Sequence, residues 1–149
     1  MQRVNAEEIL DSRDCPPFEV KASLRDLRRI NRWFGGVGTT RKLIEQVCEA
    51  TRQKHFTLLE VGAGLGDVPQ TAGVQLAGRG ITLDVTDLDR FVSHLRLDHR
   101  AVAADAMSLP FRDNSFDLVS CNLFAHHFEA EDLRQFVDEA WRVCRRSNV

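Results

Sequence analysis

Carboxylates recur in this chain where short apolar runs end. Leu58-Leu59-Glu60-Val61 runs into Gly62-Ala63-Gly64-Leu65-Gly66-Asp67, Leu83-Asp84-Val85-Thr86-Asp87-Leu88-Asp89 closes on alternate acids, and Ala103-Ala104-Asp105-Ala106 follows a third run. Ionised carboxylates accept hydrogen bonds from hydroxyls and amines. Glycines at alternate positions let backbone approach a ligand closely or take positive φ. A helix beginning near Asp67 would aim its free N–H groups at an anion such as a carboxylate or phosphate. That is chemistry for holding a small charged ligand. A dinucleotide fingerprint needs Gly-x-Gly-x-x-Gly, whereas here the third glycine follows after one residue and Asp67 stands in the dinucleotide position, which argues against NAD. The acids closing the second run suit the two hydroxyls of a ribose, and the residues alone leave Asp87 and Asp89 both open for that role. His126 and His127 lie just past a fourth apolar run, Phe116 to Cys121. A proton-accepting base could stand there, or the pair is simply the start of a helix. Neither a nearby carboxylate nor a cysteine completes a metal set around them. His55, His94 and His99 read as surface residues.

The elements that must position these groups follow from periodicity. Val20, Leu24, Leu27 and Phe34, with Ile30 alongside, recur at helical spacing between Phe18 and Phe34, and that helix ends at Gly35-Gly36. Thr39 or Thr40 can cap a second helix whose buried stripe is Leu43, Ile44, Val47 and Cys48. Trp33 and Phe34 before the double glycine read as a helix anchor or as the hinge of a lid. From Phe56 strand and helix alternate. Strands are expected at Phe56 to Val61, Ile81 to Leu88, Ala101 to Ala104 and Phe116 to Cys121. Helices are expected at about Asp67 to Ala77, Arg90 to Leu97 and Glu131 to Arg145, the last with Leu133, Phe136, Val137, Ala140, Trp141 and Cys144 on one face. Such alternation means a parallel sheet with right-handed crossovers and helices on both faces, an α/β fold of the Rossmann-like, doubly wound kind.

Composition excludes more than it assigns. The 149 residues are 43% hydrophobic and 28% charged, which fits a globular domain with a real core. A net charge of -2 gives no broad basic field for nucleic acid. Arg25, Arg28, Arg29 and Arg32 beside Asp26 read as a solvated helix face. No apolar run is long enough for membrane insertion and the start lacks a signal-peptide core, so a cytoplasmic location is expected. Cys15, Cys48, Cys121 and Cys144 are too scattered for a zinc site or a disulfide framework and read as reduced, mostly buried thiols.

The glycine segment resembles motif I of the class I S-adenosylmethionine (SAM) dependent methyltransferases, an acid, one residue, then Gly-x-Gly-x-Gly, with Glu60, Gly62, Gly64 and Gly66 in place. The pattern Val-Thr-Gly-Val-Asp of that family lines up with Val85-Thr86-Asp87-Leu88-Asp89. Asp105 to Phe111 resembles its adenine-holding motif, and Asp113 to Ser120 and Asn122 to Phe128 resemble its turn into strand four and the segment after it. The resemblance covers about residues 58 to 128. It implies SAM as cofactor and S-adenosylhomocysteine as product. It implies a cofactor site of Glu60, Gly62, Ala63, Gly64, Gly66, Asp89 or Asp87, Asp105, Ala106 and Asn122. In that site glycine N–H groups and the helix start take the methionine carboxylate, and Glu60 takes the amino end directly or through water. Asp89 takes ribose and Asp105 adenine. Arg29 to Gly36 and Gly64 to Pro69 resemble the type 11, quinone-biosynthesis-like subgroup acting on small molecules, which implies a phenolic or quinone-like acceptor; for such an acceptor the position of His126 and His127 makes them the candidate bases. The division expected is a helical extension or lid over residues 1–54 and a SAM-binding core over 55–149, with strand order 3-2-1-4. Such a core normally adds further strands, so 55–149 is expected to be a shortened one. Strand four would then be an apolar edge through which, or through its flanking helix, two copies could join. A non-catalytic interaction module on the same fold is the alternative reading.

Overall fold

The computed structural model of the chain describes residues 16–33, 35–96 and 98–145. Cys15, Phe34 and the side chain of Trp33 lie outside the described residues, and with them the expected aromatic hinge. Two helices come first, α1 (Pro17–Trp33) and α2 (Gly36–Thr51). Then follow β1 (His55–Val61), α3 (Asp67–Ala77), β2 (Thr82–Asp89), β3 (Ala101–Ala103), β4 (Leu118–Ser120) and α4 (Ala130–Val143). Every strand pairing is parallel, and the order across the sheet is β3-β2-β1-β4, as the sequence leads one to expect.

β1 is central because it is apolar on both sides. Phe56, Leu58, Leu59 and Val61 are no more than 1% exposed, the pattern of a parallel strand covered on both faces. Leu59 and Val61 join Leu88, Phe116, Phe136 and Val143 in the layer under α4. Phe56 and Leu58 join Ile44, Leu76 and Ile81 in the layer under α2 and α3. Each such side chain stabilises the fold by about 1.5–3 kcal/mol. Side chains alternate along a strand, so Glu60 shares the α3 face, and the register Glu60↔Asp87 sets Asp87 beside it.

Asp117 locks β1 to β4. Its carboxylate accepts the Thr57 N–H and hydroxyl, both at 2.8 Å, while Arg145 donates to its other oxygen at 2.8 Å. A second lock ties α4 to the loop between β3 and β4. The Arg142 guanidinium donates to the carbonyls of Phe111 (2.7 Å) and Leu109 (2.9 Å) and to Asp113 (2.9 Å). Glu139 accepts the Leu109 N–H at 2.7 Å, and Gln135 donates to the Met107 carbonyl at 3.0 Å.

Four expectations need correction. The helix expected over Arg90 to Leu97 is a single 3-10 turn, Val92–His94. Phe91 is extended (φ -106°, ψ 120°), and its N–H is taken by the Asp89 carboxylate at 3.0 Å, so the chain doubles back before a helix can start. Strand four is shorter than Phe116 to Cys121, because Phe116 pairs instead with Cys144 in a parallel bridge. Its N–H reaches the Val143 carbonyl at 3.0 Å, and its own carbonyl accepts the Arg145 N–H at 2.7 Å. The apolar face of α4 is only partly covered. Phe136 and Val143 are buried, whereas Leu133, Val137 and Trp141 are 38%, 52% and 62% exposed. The sheet stops at β4, and the helix face is wider than the strand beneath it. Finally, Cys48, Cys121 and Cys144 are half-buried rather than buried, although burial pushes the thiols of Cys121 and Cys144 above their ordinary range.

Candidate functional site

The sheet order reverses at β1, where the chain moves from β3 on one side to β4 on the other, and ligands of such sheets sit beyond the carboxyl ends of the strands at that switch point. A cavity of about 580 Å³ opens there, within the size range of small-molecule sites. Each strand end contributes to it. Glu60 and the turn Gly62 to Leu65 come from β1, Asp89 from β2, Asp105 and Ala106 from beyond β3, and Asn122 from β4. His126 and His127 stand at its rim on a 3-10 turn, Ala125–His127, with ring centroids 4.1 Å apart. Leu24, Leu27 and Asn31 of α1 line it as well, with Leu24 packed close to Gly64. Of the residues singled out from sequence, all border this cavity except Gly66 and Asp87.

Two glycines are fixed by close approach. Gly62 (φ +68°) lies under the Phe124 ring, where a Cβ would come within 2.4 Å of a ring carbon. Gly66 (φ +66°) precedes α3 and leaves room for the Asp87 carboxylate, which a Cβ would meet at 2.2 Å. The backbone of the turn is largely committed to its own shape. Ala63 N–H goes to the Leu88 carbonyl (2.9 Å), Gly66 N–H to the Ala63 carbonyl (2.8 Å) and Gly64 N–H to Asp89 (3.0 Å). Leu65 and Val68 N–H groups have no acceptor among the described residues. The donors left for an anion therefore include the N–H of Leu65, between two glycines, and that of Val68, two residues past Gly66. Past β4, Leu123 holds a left-handed conformation (φ 54°) at the cavity wall. Strain of about 1–2 kcal/mol at a bulky residue marks a turn that the surrounding structure dictates.

Glu60 is 2% exposed and fully engaged with the end of β4. It accepts the Ser120 hydroxyl, the Asn122 N–H (3.1 Å) and the Asn122 side-chain amide (2.8 Å). The Asn122 side-chain Oδ1 in turn accepts the Thr40 hydroxyl of α2 at 3.4 Å. Burial raises the Glu60 pKa, the Ser120 and Asn122 donors oppose that, and the charge of Asp87 adds to the rise. Asp87 is 1% exposed with one oxygen unpartnered. Burial raises it too, against the opposing pull of His99, whose Nδ1 lies 3.3 Å away. Two like charges side by side in a dry layer disfavour joint ionisation. Asp89 behaves in the opposite way. Burial pushes it up, but His94, the Phe91 N–H and the Gly64 N–H outweigh burial and hold it below the usual carboxylate range.

The geometry thus separates the two aspartates that sequence left open. Asp89 borders the cavity as an ionised acceptor, while Asp87 is buried behind the glycine turn. Reasoning from sequence missed His94. Read as a surface residue, it is 7% exposed, hydrogen-bonded to Asp89 at 3.1 Å and part of the cavity wall. Its spacing five residues after Asp89 was the available signal, hidden because the intervening residues suggested a helix. Asp105 is exposed, with one oxygen accepting the Met107 N–H at 2.9 Å.

A parallel sheet of this order, with a tight glycine turn and acids at three strand ends around one cavity, defines a doubly wound α/β protein with a candidate ligand site at its switch point. The chain belongs to the methyltransferase domain family, whose model matches residues 59–148. Among curated proteins it is 49% identical over 41 residues to YcgJ, an uncharacterized methyltransferase of Bacillus subtilis strain 168, across 28% of this chain and 15% of that one. Its fold is shared with a Methanococcus maripaludis protein assigned as an S-adenosyl-L-methionine-dependent methyltransferase (14% identity, TM-score 0.57, 97% of this chain and 64% of that one). It is also shared with 1,6-didemethyltoxoflavin-N1-methyltransferase of Burkholderia thailandensis, solved with bound 1,6-didemethyltoxoflavin and S-adenosylhomocysteine (16% identity, TM-score 0.54, 87% and 56%). The chain therefore spans less than two thirds of the length of these relatives. No helix among the described residues is long and apolar enough to cross a membrane.

Proposed function

We propose that this chain binds SAM in the switch-point cavity and transfers its methyl group to a small organic acceptor of phenolic or quinone-like type. The observation that carries the reading is the set of Glu60, Asp89 and Asp105 at three successive strand ends around one cavity, with the glycine turn between them. In this reading Leu65 and Val68 N–H groups, held in place by the turn Gly62-Ala63-Gly64 and by Gly66, meet the methionine carboxylate at the start of α3. Glu60, with Asn122 fixed against it, draws the cationic amino end, directly or through water. Asp89 accepts from the ribose, and Asp105 with the Ala106 N–H meets the adenine edge. Asp87 supports the turn from behind. Methyl transfer forms the acceptor–carbon bond as the sulfur–carbon bond breaks in line, giving S-adenosylhomocysteine, so alignment is the protein's main contribution. His126 or His127 accepts the proton that a hydroxyl acceptor loses. Residues 1–54 act as a helical lid on the core 55–149, an assignment supported by Leu24, Leu27 and Asn31 of α1 lining the cavity.

Calorimetric titration with SAM, S-adenosylhomocysteine and NAD tests this reading. Both adenosyl compounds are expected to bind in the micromolar range and NAD to give no heat, with Asp89→Ala abolishing binding. NAD binding as tight as SAM, or no binding of either adenosyl compound, would refute it.

A second reading, a non-catalytic interaction module that forms a homodimer, is favoured by the exposed row Leu133, Val137 and Trp141 on α4. These residues recur every four positions and make one apolar ridge. The helix is the better surface than the β4 edge, because the Cys144 bridge already occupies that edge at Phe116. Sedimentation should show a dimer that Trp141→Glu dissociates. A monomer at every concentration excludes this reading.

A further inference from the structure

Both oxygens of Asp89 are already in use. Oδ1 accepts the Phe91 N–H at 3.0 Å and lies 3.1 Å from His94 Nδ1, while Oδ2 accepts the Gly64 N–H at 3.0 Å. A carboxylate oxygen offers roughly two acceptor positions, so Oδ1 is full and Oδ2 has one left. A ribose presents two neighbouring hydroxyls. Asp89 has room for one of them.

We propose that His94 reads the other, so that the vicinal diol of the nucleoside is held by a carboxylate–imidazole pair in place of a carboxylate alone. This rests on the reading of the cavity as a SAM site. With Nδ1–H donating to an ionised carboxylate, the neutral ring leaves Nε2 as an acceptor. Nε2 has no hydrogen-bond partner among the described residues, and His94 borders the same cavity as Asp89. The ring cannot drift, being 7% exposed and packed against Phe91 at a centroid distance of 5.1 Å. The 3-10 turn Val92–His94 gains a purpose from this. It brings residue 94 back against residue 89, where a regular helix would have carried it away.

The test is calorimetry on the whole chain with S-adenosylhomocysteine and its 2′-deoxy and 3′-deoxy analogues, comparing wild type, His94→Ala and His94→Asn. The asparagine amide keeps a donor near the Nδ1 position, so it preserves the hold on Asp89 if the alanine variant does not fold, but it lacks the Nε2 acceptor. Wild type is expected to lose roughly tenfold in affinity for each deoxy analogue. His94→Asn should bind S-adenosylhomocysteine roughly tenfold more weakly and become indifferent to removal of one hydroxyl, while keeping the full loss for the hydroxyl that Asp89 takes. Binding by wild type with the same two losses in both variants overturns this proposal alone. No binding of S-adenosylhomocysteine to wild type overturns the SAM reading itself, and this proposal with it.

Discussion

Gly66→Ala isolates the contact on which the glycine turn depends. Two terms add at this position. An L-residue in the left-handed region costs about 1–2 kcal/mol. The new Cβ would also lie 2.2 Å from Asp87 Oδ2 and 2.8 Å from its Cγ, an overpacking that typically costs about 1–3 kcal/mol. Asp87 has little freedom to retreat, being 1% exposed beside Glu60 in the neighbouring strand. The expected loss is therefore about 2–5 kcal/mol, a large share of the 5–15 kcal/mol typical of a domain. Gly80 supplies the control. It also has positive φ (+73°), yet a Cβ there would meet nothing within 4 Å, so Gly80→Ala should cost only the backbone term, about 1–2 kcal/mol. Urea denaturation of wild type, Gly66→Ala, Gly80→Ala, Asp87→Ala and the Gly66→Ala/Asp87→Ala double variant measures both terms. In the Asp87→Ala background the cost at Gly66 should fall to that at Gly80, a coupling of about 1–3 kcal/mol. An equal cost at Gly66 in both backgrounds would show that the carboxylate does not press on the turn.

Other perturbations have equally definite outcomes. Burial pushes Asp117 up, but the Thr57 N–H, the Thr57 hydroxyl and Arg145 outweigh it and hold Asp117 below the usual range. Its contribution is thus complete above the unfolded value of about 3.9 and disappears as pH falls through the folded value. Asp117→Asn should flatten the acid limb of a stability-against-pH curve. Asp87 has the opposite sign. Its raised pKa means that stability falls as pH rises from the unfolded value through the folded one, and Asp87→Asn should remove that decline in urea midpoints measured across the range. A cation arriving at Glu60 favours its charged form. Titrations of SAM in buffers of different ionisation enthalpy, repeated across the pH range in which free Glu60 titrates, should therefore report proton release that Glu60→Gln eliminates. Leu123→Gly relieves about 1–2 kcal/mol of left-handed strain against the greater chain entropy of glycine, about 0.5–1 kcal/mol. Thermal melts should show little loss despite the missing leucine, which is 53% exposed.

The sheet was legible in the sequence because its signals are local and strong. Apolar runs of strand length ending in glycines or acids placed all four strands, their alternation with helices implied a parallel sheet, and the motif resemblance supplied the order. The preference for Asp89 over Asp87 came from the motif resemblance, and in the structure Asp89 alone of the two borders the cavity. What failed were features set by a single polar contact across the fold. Nothing in Arg90 to Leu97 announces that Asp89 will capture the Phe91 N–H and cancel a helix, and His94 is buried only because that capture happens. The burial of Asp87 and Glu60 as neighbours depends on strand register, which periodicity does not supply. On α4, period alone marked a wide apolar face, but how much of it is covered depends on the width of the sheet beneath.

The loop between β3 and β4 has almost no regular secondary structure, yet it is fastened to α4 through Arg142, Glu139 and Gln135. Its amide hydrogens should exchange with solvent at rates set by α4 rather than by a loop, and the two should open as one cooperative unit. Asp105 and Ala106 begin this loop, so the wall of the cavity on that side is already ordered before a ligand arrives. Little entropy is then left to lose there on binding.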